Sequence, residues 1–301
     1  MPLRTDLPVW RSLLFVPVIA RKFVDGAASR GADAIILDLE DSVPPAEKPR
    51  ARTLLQEAAE IVSRGGADVL VRINRPLRLA IPDIEAAISP QVQALALPKV
   101  ESASHLRLLA EAIDEIEAER GMAVGTTRLL AMVETAEAFF EMPAIARAHS
   151  RVVAMTLGAE DFALSVGMLP EAEGLLFPKQ QMIVAARSAG ILPLGFLGTV
   201  ADFKDLVAFR ATIRRSRRLG FLGAACIHPS QVPVLNEEYA PPADDVAHAE
   251  RVVAAYEKAT AQGVGAITVD GKMIDVPVVE RAQALLARHR AIAAREARRA
   301  R

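Results

Sequence analysis

The sequence predicts an α/β protein: a (β/α)8 TIM barrel followed by a C-terminal helical arm or lid. Three observations carry that expectation. Eight short apolar runs succeed one another along the chain, helix-patterned stretches long enough for crossovers separate them, and the pattern changes after Pro229. Runs that are apolar throughout, rather than alternating, are expected where both faces of a parallel sheet are covered. A doubly wound sheet is the rival arrangement, but no G-x-G-x-x-G opens a helix after the first run. The predicted catalytic barrel covers 1–235 and the arm 236–301.

In chain order the predicted strands are 12–18, 34–39, 69–73, 94–97, 128–133, 152–157, 192–197 and 224–227. Between them, 46–64, 102–120, 136–149, 179–189 and 203–219 are rich in Ala, Leu, Glu and Arg, with apolar residues three and four apart, as crossover helices require. Pro241-Pro242 then interrupts the chain. A helix over about 244–262 follows, next an extended pair within 263–275 that turns at Asp270-Gly271, and last a helix starting near Pro277. The arginine-rich end of that helix reads as a solvated face.

Composition narrows the partners. Half the chain is hydrophobic (51%) and 24% is charged, which excludes a disordered chain. Lys and Arg number 36 against 37 acidic residues, so a net charge of −1 supplies no general field for nucleic acid or an anionic membrane. Any anion site must therefore be local. The single Cys226 excludes an intramolecular disulfide and a cysteine zinc cluster, and suits a reducing cytoplasm. The least polar stretch, 189–201, is broken by Pro193, Gly195 and Gly198 and falls short of the roughly 20 residues of a membrane span. With no apolar signal core near Met1, a cytoplasmic location is expected.

In such barrels reactive groups gather at the C-terminal ends of the strands. The predicted ends carry Asp38, Glu40 and Asp41, then Arg72, Lys99, Glu134, and Glu160 with Asp161. Carboxylates without thiols or a histidine pair point to a hard cation such as Mg2+, and Glu134 with Asp161, closing consecutive strands, is the best pair. The competing role for these acids is capping of the helices that follow. Arg72 suits a bidentate contact to a carboxylate or an oxyanion, or an ion pair with a neighbouring acid. Arg21, Lys22, Lys48, Arg50 and Arg52 form a candidate phosphate-binding rim. His228 either lines the site or is bonded to backbone, Cys226 reads as core, and no nucleophile arrangement surrounds Ser12 or Ser42.

Seven short motifs in order then carry a resemblance: Arg11-Ser-Leu-Leu-Phe-Val-Pro17, Leu37-Asp-Leu-Glu-Asp-Ser-Val43, Val71-Arg-Ile-Asn74, Leu97-Pro-Lys-Val100, Val133-Glu-Thr135, Leu157-Gly-Ala-Glu-Asp161 and Ile227-His-Pro-Ser-Gln-Val232. From about residue 10 to 285 the chain resembles the citrate lyase beta subunit and the malyl-CoA and citramalyl-CoA lyases of the HpcH/HpaI aldolase superfamily. The resemblance implies a Mg2+-dependent lyase that breaks a carbon–carbon bond in a 3-hydroxyacyl-CoA thioester of citramalyl-CoA, malyl-CoA or citryl-CoA type. The products would be an acetyl-CoA-type thioester and a 2-keto acid, with coenzyme A as part of the substrate. It also implies a homotrimer, or a hexamer made from two trimers.

Carried over by motif, Glu134 and Asp161 would be the metal ligands, and Arg72, with Glu134, would hold the substrate. Glu40 and Asp41 would hold metal-bound waters, and Lys22, Lys48 and Arg52 would contact CoA phosphates. Asp275 matches an acidic residue that family members extend into a neighbouring subunit's site, where it would deliver a proton to carbon. Three positions depart from the family pattern: Val18 where glycine is usual, Lys179 in place of an arginine, and the segment 194–201 in place of an Ile-Asp-Gly stretch. These keep two alternatives open, a keto-acid aldolase of the same superfamily that does not use CoA and a non-enzymatic metabolite-binding subunit.

Overall fold

The computed structural model describes residues 3–199, 204–263 and 265–299. The chain divides into two units, Met1–Tyr239 and Ala240–Arg301. In the first, β1 (Ser12–Pro17), β2 (Ala34–Asp38), β3 (Asp68–Arg72), β4 (Ala94–Leu97), β5 (Arg128–Val133), β6 (Val152–Leu157), β7 (Leu192–Leu194) and β8 (Ala224–Cys226) form one sheet in the order β7-β6-β5-β4-β3-β2-β1-β8. Every ladder in it is parallel. A parallel bridge between Leu194 and Gly223 joins its two ends, flanked by bonds from the Gly195 amide to Gly223 O (2.8 Å) and from the Leu222 amide to Pro193 O (3.0 Å). The fold is therefore the (β/α)8 barrel that the sequence predicts.

Helices α1 (Arg21–Ala27), α2 (Lys48–Ser63), α3 (Leu77–Ala87), α4 (Ala103–Glu119), α5 (Ala136–Ala146), α6 (Ala159–Val166), α7 (Ala172–Ser188), α8 (Leu206–Leu219) and α9 (Gln231–Glu238) follow the strands. Two of them carry a serine or threonine cap: Ser102 Oγ accepts from the His105 amide before α4, and Thr135 Oγ1 accepts from the Ala138 amide before α5. Two of the boundaries that differ from those predicted have a visible cause. α7 starts at Ala172 rather than 179 because the helix runs straight through Pro178. β7 stops at Leu194 rather than 197, since Gly195 (φ 137°) and Gly198 (φ 131°) adopt backbone conformations that a strand does not use. The predicted start of α8 at 203, and the end of the segment 194–201, lie outside the described residues.

The strands bury both faces, as their composition requires. In β2, Ile35 and Leu37 join the layer between strands and helices, while Ala34 and Ile36 join the cluster inside the barrel. The inner cluster also takes Leu70, Ala94, Ala96, Leu130, Met132 and Ala154. Because side chains alternate, the next inward positions along these strands are Asp38, Arg72, Glu134 and Thr156. The charged residues thus sit one step above an apolar floor. Elsewhere in this unit, Arg11 braces Asp33 through Nε–Oδ2 (2.8 Å) and Nη2–Oδ1 (3.0 Å), and buried Arg151 pairs with Asp114 and Glu117.

In the second unit α10 (Ala243–Thr260) and α11 (Val276–Arg299) pack together through Val246, Ala249, Val252, Val279, Ala282 and Leu286. A hairpin of β9 (Ile267–Val269) and β10 (Lys272–Ile274) joins them, turning at Asp270 (φ 49°) and Gly271 (φ 76°), the residue types that a two-residue turn with positive φ favours. Asp275 stands just before α11, where its Oδ1 accepts from the Val278 amide at 3.4 Å. No described helix is long and apolar enough to cross a membrane.

Candidate active site

A cavity of about 1290 Å³ opens at the C-terminal ends of the strands, with Leu14, Ile36, Leu130 and Met132 among its apolar lining. Arg72 dominates its charged side. The guanidinium donates from Nε to Asp38 Oδ1 (2.7 Å) and from Nη2 to Asp38 Oδ2 (2.8 Å), and Nη1 lies 2.8 Å from Glu40 Oε2 and 3.2 Å from Asp41 Oδ2. Beneath it, the Phe15 ring centroid is 4.9 Å from Cζ. Burial opposes the charge on Arg72, but the Asp38 bonds and the neighbouring acids outweigh it and raise its proton affinity. Burial likewise pushes Asp38 upward, and the Arg72 bonds override it and hold the carboxyl below its ordinary value. Glu40 goes the other way, since burial and then Asp41 lift it against the pull of Arg72 and Lys99.

Glu134 is the most perturbed acid here. It is 3% exposed, and burial, followed by repulsion from Glu40 and Asp161, pushes its carboxyl up to about 8. Its Oε2 accepts from the Lys99 amide at 2.9 Å. Lys99 has φ 48°, uncommon for a residue with a side chain, and that turn aims the amide at Glu134 while Nζ reaches Glu40 Oε1 (3.1 Å) and Asp161 Oδ1 (3.8 Å). Asp161 stands half-buried in the first turn of α6, beside exposed Glu160. Gly158, which precedes that helix, makes room for the acid. A Cβ there would lie 2.7 Å from Glu134 Cγ and 2.8 Å from Oε1.

Arg72, Glu40, Asp41, Glu134 and Asp161 thus come together as expected from their strand ends. The proposed rim does not. Lys22 lines the cavity, joined by Arg30. Lys48 instead donates to the Leu39 and Glu40 carbonyls (2.7 and 2.6 Å), bracing the loop after β2. Arg52 pairs with Asp83 (Nε–Oδ1 2.6 Å) and lines a separate, smaller cavity. Val18 is a core residue, 2% exposed. Buried Lys179 does line the cavity. His228, at the rim, accepts at Nδ1 from the Ser230 amide (3.2 Å), with Ser230 Oγ 2.7 Å away. Asp38, to which the sequence pattern gives no role, sits directly opposite Arg72 in the strand register.

Among the described residues no three Asp, Glu, His or Cys side chains converge into a ready-made metal cage. Two carboxylates with room for water and substrate nonetheless suit Mg2+, which takes one or two from a protein. The raised Glu134 marks a negative cluster that a divalent cation would relieve. The donor set fits the ion.

A closed (β/α)8 barrel with acids and cations crowded at one mouth is the architecture of a barrel enzyme. The chain belongs to the family described as HpcH/HpaI aldolase/citrate lyase, whose sequence model matches residues 11–229. It is 36% identical to the citrate lyase subunit beta of Leuconostoc mesenteroides subsp. cremoris over 282 residues, 92% of each chain. It is 33% identical to the L-malyl-CoA/beta-methylmalyl-CoA lyase of Rhodobacter capsulatus over 300 residues, 92% of this chain and 93% of that one. Among solved structures, CitE from Mycobacterium tuberculosis in complex with magnesium, acetoacetate and coenzyme A superposes with a TM-score of 0.73 at 30% identity, covering 94% of this chain and 98% of that one.

Proposed function

We propose that this chain is a Mg2+-dependent carbon–carbon lyase acting on a 3-hydroxyacyl-CoA thioester of malyl-CoA, citramalyl-CoA or citryl-CoA type. The observation that carries the reading is Glu134, a buried carboxylate at the cavity, lifted to about 8, with Asp161 and Arg72 beside the same opening. Glu134 and Asp161 hold the ion, and Mg2+, when bound, supplies Lewis-acid polarisation of the keto-acid oxygens. The CitE complex with magnesium, acetoacetate and coenzyme A supports both the metal and a place for coenzyme A.

In cleavage a general base takes the proton of the substrate hydroxyl, and the C–O group becomes a carbonyl. The bond to the thioester α-carbon breaks, and its electron pair leaves as the enolate. Arg72, fixed on Asp38 through two nitrogens, presents Nη1 toward the oxygen on which charge changes. Glu40 and Asp41 orient water at that edge. Asp275, delivered by a neighbouring subunit of a trimer or hexamer, returns a proton to the enolate carbon. On the CoA side Lys22 is the principal phosphate contact, while Lys48 and Arg52 act through the loop after β2 and the α2–α3 pair. The burial of Val18 removes one ground for an enzyme that works without CoA. The enzyme is assigned to the cytoplasm.

The test is incubation with malyl-CoA, citramalyl-CoA and citryl-CoA, with Mg2+ and with chelator. Acetyl-CoA and a 2-keto acid should appear from at least one, and only with the metal. If calorimetry shows no CoA thioester bound in the presence of Mg2+ and a keto acid, the CoA-independent aldolase takes its place.

A further inference from the structure

Gly195, Phe196, Gly198 and Thr199, just after β7, form a wall of the cavity. Three side chains hold this stretch by its main chain. The Tyr239 hydroxyl donates to Gly195 O at 2.5 Å, Ser216 Oγ accepts from the Leu197 amide at 2.9 Å, and Lys179 Nζ donates to both Phe196 O and Gly198 O. The Phe196 ring lies 5.6 Å from that ammonium and packs edge-on against Phe209. Lys179 is only 4% exposed, and its ammonium donates to carbonyls rather than to a carboxylate. Burying an ammonium costs several kcal/mol, so a lysine here is a poor choice for packing alone. What its charge secures is the position of the loop.

We propose that Lys179 is a positioning residue, whose ammonium clamps the loop after β7 and so sets the wall against which the acyl group of the substrate rests. The proposal depends on the thioester reading of the cavity. Its surroundings leave the clamp sensitive to protonation. Burial lowers the amine to about 7, and Glu160 on α6 is the one charge that acts against this. β6, β7 and residues 195–199 have no titratable side chain, Glu137 and Glu141 of α5 are exposed, and α8 faces the loop with Phe209 and Ser216. Burial raises the Tyr239 phenol well above its ordinary value, so it stays a neutral donor.

Hydrogen exchange of the 194–199 peptide and steady-state kinetics test this together. Lys179→Met keeps the apolar stem and removes the donors. It should speed exchange of that peptide about tenfold or more and raise KM for the thioester, with Mg2+ affinity unchanged and kcat within about twofold. Lys179→Arg keeps a permanent charge, and should restore slow exchange and the lower KM. Unchanged exchange or unchanged KM in Lys179→Met, or failure of Lys179→Arg to restore both, overturns the proposal. Should Lys179→Met not fold, the pH dependence decides. Loop exchange, corrected for its intrinsic rate, should accelerate above about pH 7 in the wild type and not in Lys179→Arg, and identical profiles overturn the clamp. A wild-type protein that binds no CoA thioester would instead overturn the functional reading, and loop exchange would still decide the clamp.

Discussion

Asp38 and Arg72 are cross-strand neighbours in β2 and β3, and the guanidinium closes on the carboxylate with bonds of 2.7 and 2.8 Å. The pair fixes the guanidinium so that Nη1 faces Glu40 and Asp41.

Asp38→Asn should therefore cost more than a charge. Removing one partner of a largely buried pair destabilises by about 3 kcal/mol or more, and loss of the fixed guanidinium should lower kcat by about 100-fold. Thermal melts and turnover on the best thioester check both. A variant with wild-type kcat would show that Arg72 does not need the brace.

The Glu134 carboxyl predicts an unusual pH dependence. Its ordinary value is 4.5 and its folded value about 8, so between these the folded protein holds a proton that the unfolded chain has lost. The stability this contributes is complete below 4.5 and is lost as pH rises through about 8. Glu134→Gln should remove that decline and be the more stable protein at pH 9, by on the order of a few kcal/mol. Mg2+ should raise the melting temperature of the wild type at pH 8.5 and leave that of Glu134→Gln unchanged. Parallel pH profiles for the two would disprove the assignment.

Gly158→Ala places a methyl within 2.7 Å of Glu134 Cγ. Overpacking of this kind costs roughly 1–3 kcal/mol. The larger effect should be on the acid, whose displacement is expected to weaken Mg2+ binding at least tenfold. Calorimetric titration with Mg2+ reads it directly, and unaltered affinity would count against Glu134 as a ligand.

Asp275 has a local role as well as the one proposed in catalysis, because its carboxylate bonds the third amide beyond it at the start of α11. Asparagine caps a helix about as well. Asp275→Asn should thus keep its melting temperature while losing turnover. Mixing it with equally inactive Arg72→Ala should recover activity in mixed oligomers through the sites that carry both native residues. No recovery in oligomers shown to be mixed would sink the cross-subunit role.

Most of the barrel is legible because burial on both faces writes eight unbroken apolar runs, and because alternation then places the next polar residue of each strand at the mouth. That rule finds Arg72 and Glu134. It extends to Asp38, which only the pairing register singles out. It says nothing of Lys48 and Arg52, whose position on α2 near a strand end suits a phosphate contact, but whose side chains find carbonyls and Asp83 instead. A cation's destination depends on partners distant in sequence, and a linear pattern carries no trace of them. The early end of β7 belongs to the same class, since the side chains that hold residues 195–198 come from α7, α8 and Tyr239.

The closure of the barrel has a consequence for how its selectivity can change. Six staves of four to six residues carry or adjoin the charged groups, whereas the last two are three residues each and meet at the Leu194–Gly223 bridge. The reactive groups are thus bolted to the stiff part of the hoop, and the wall at 195–199 hangs from its seam. A library confined to that wall should re-cut the choice of acyl group and leave Arg72, four strands away on β3, untouched.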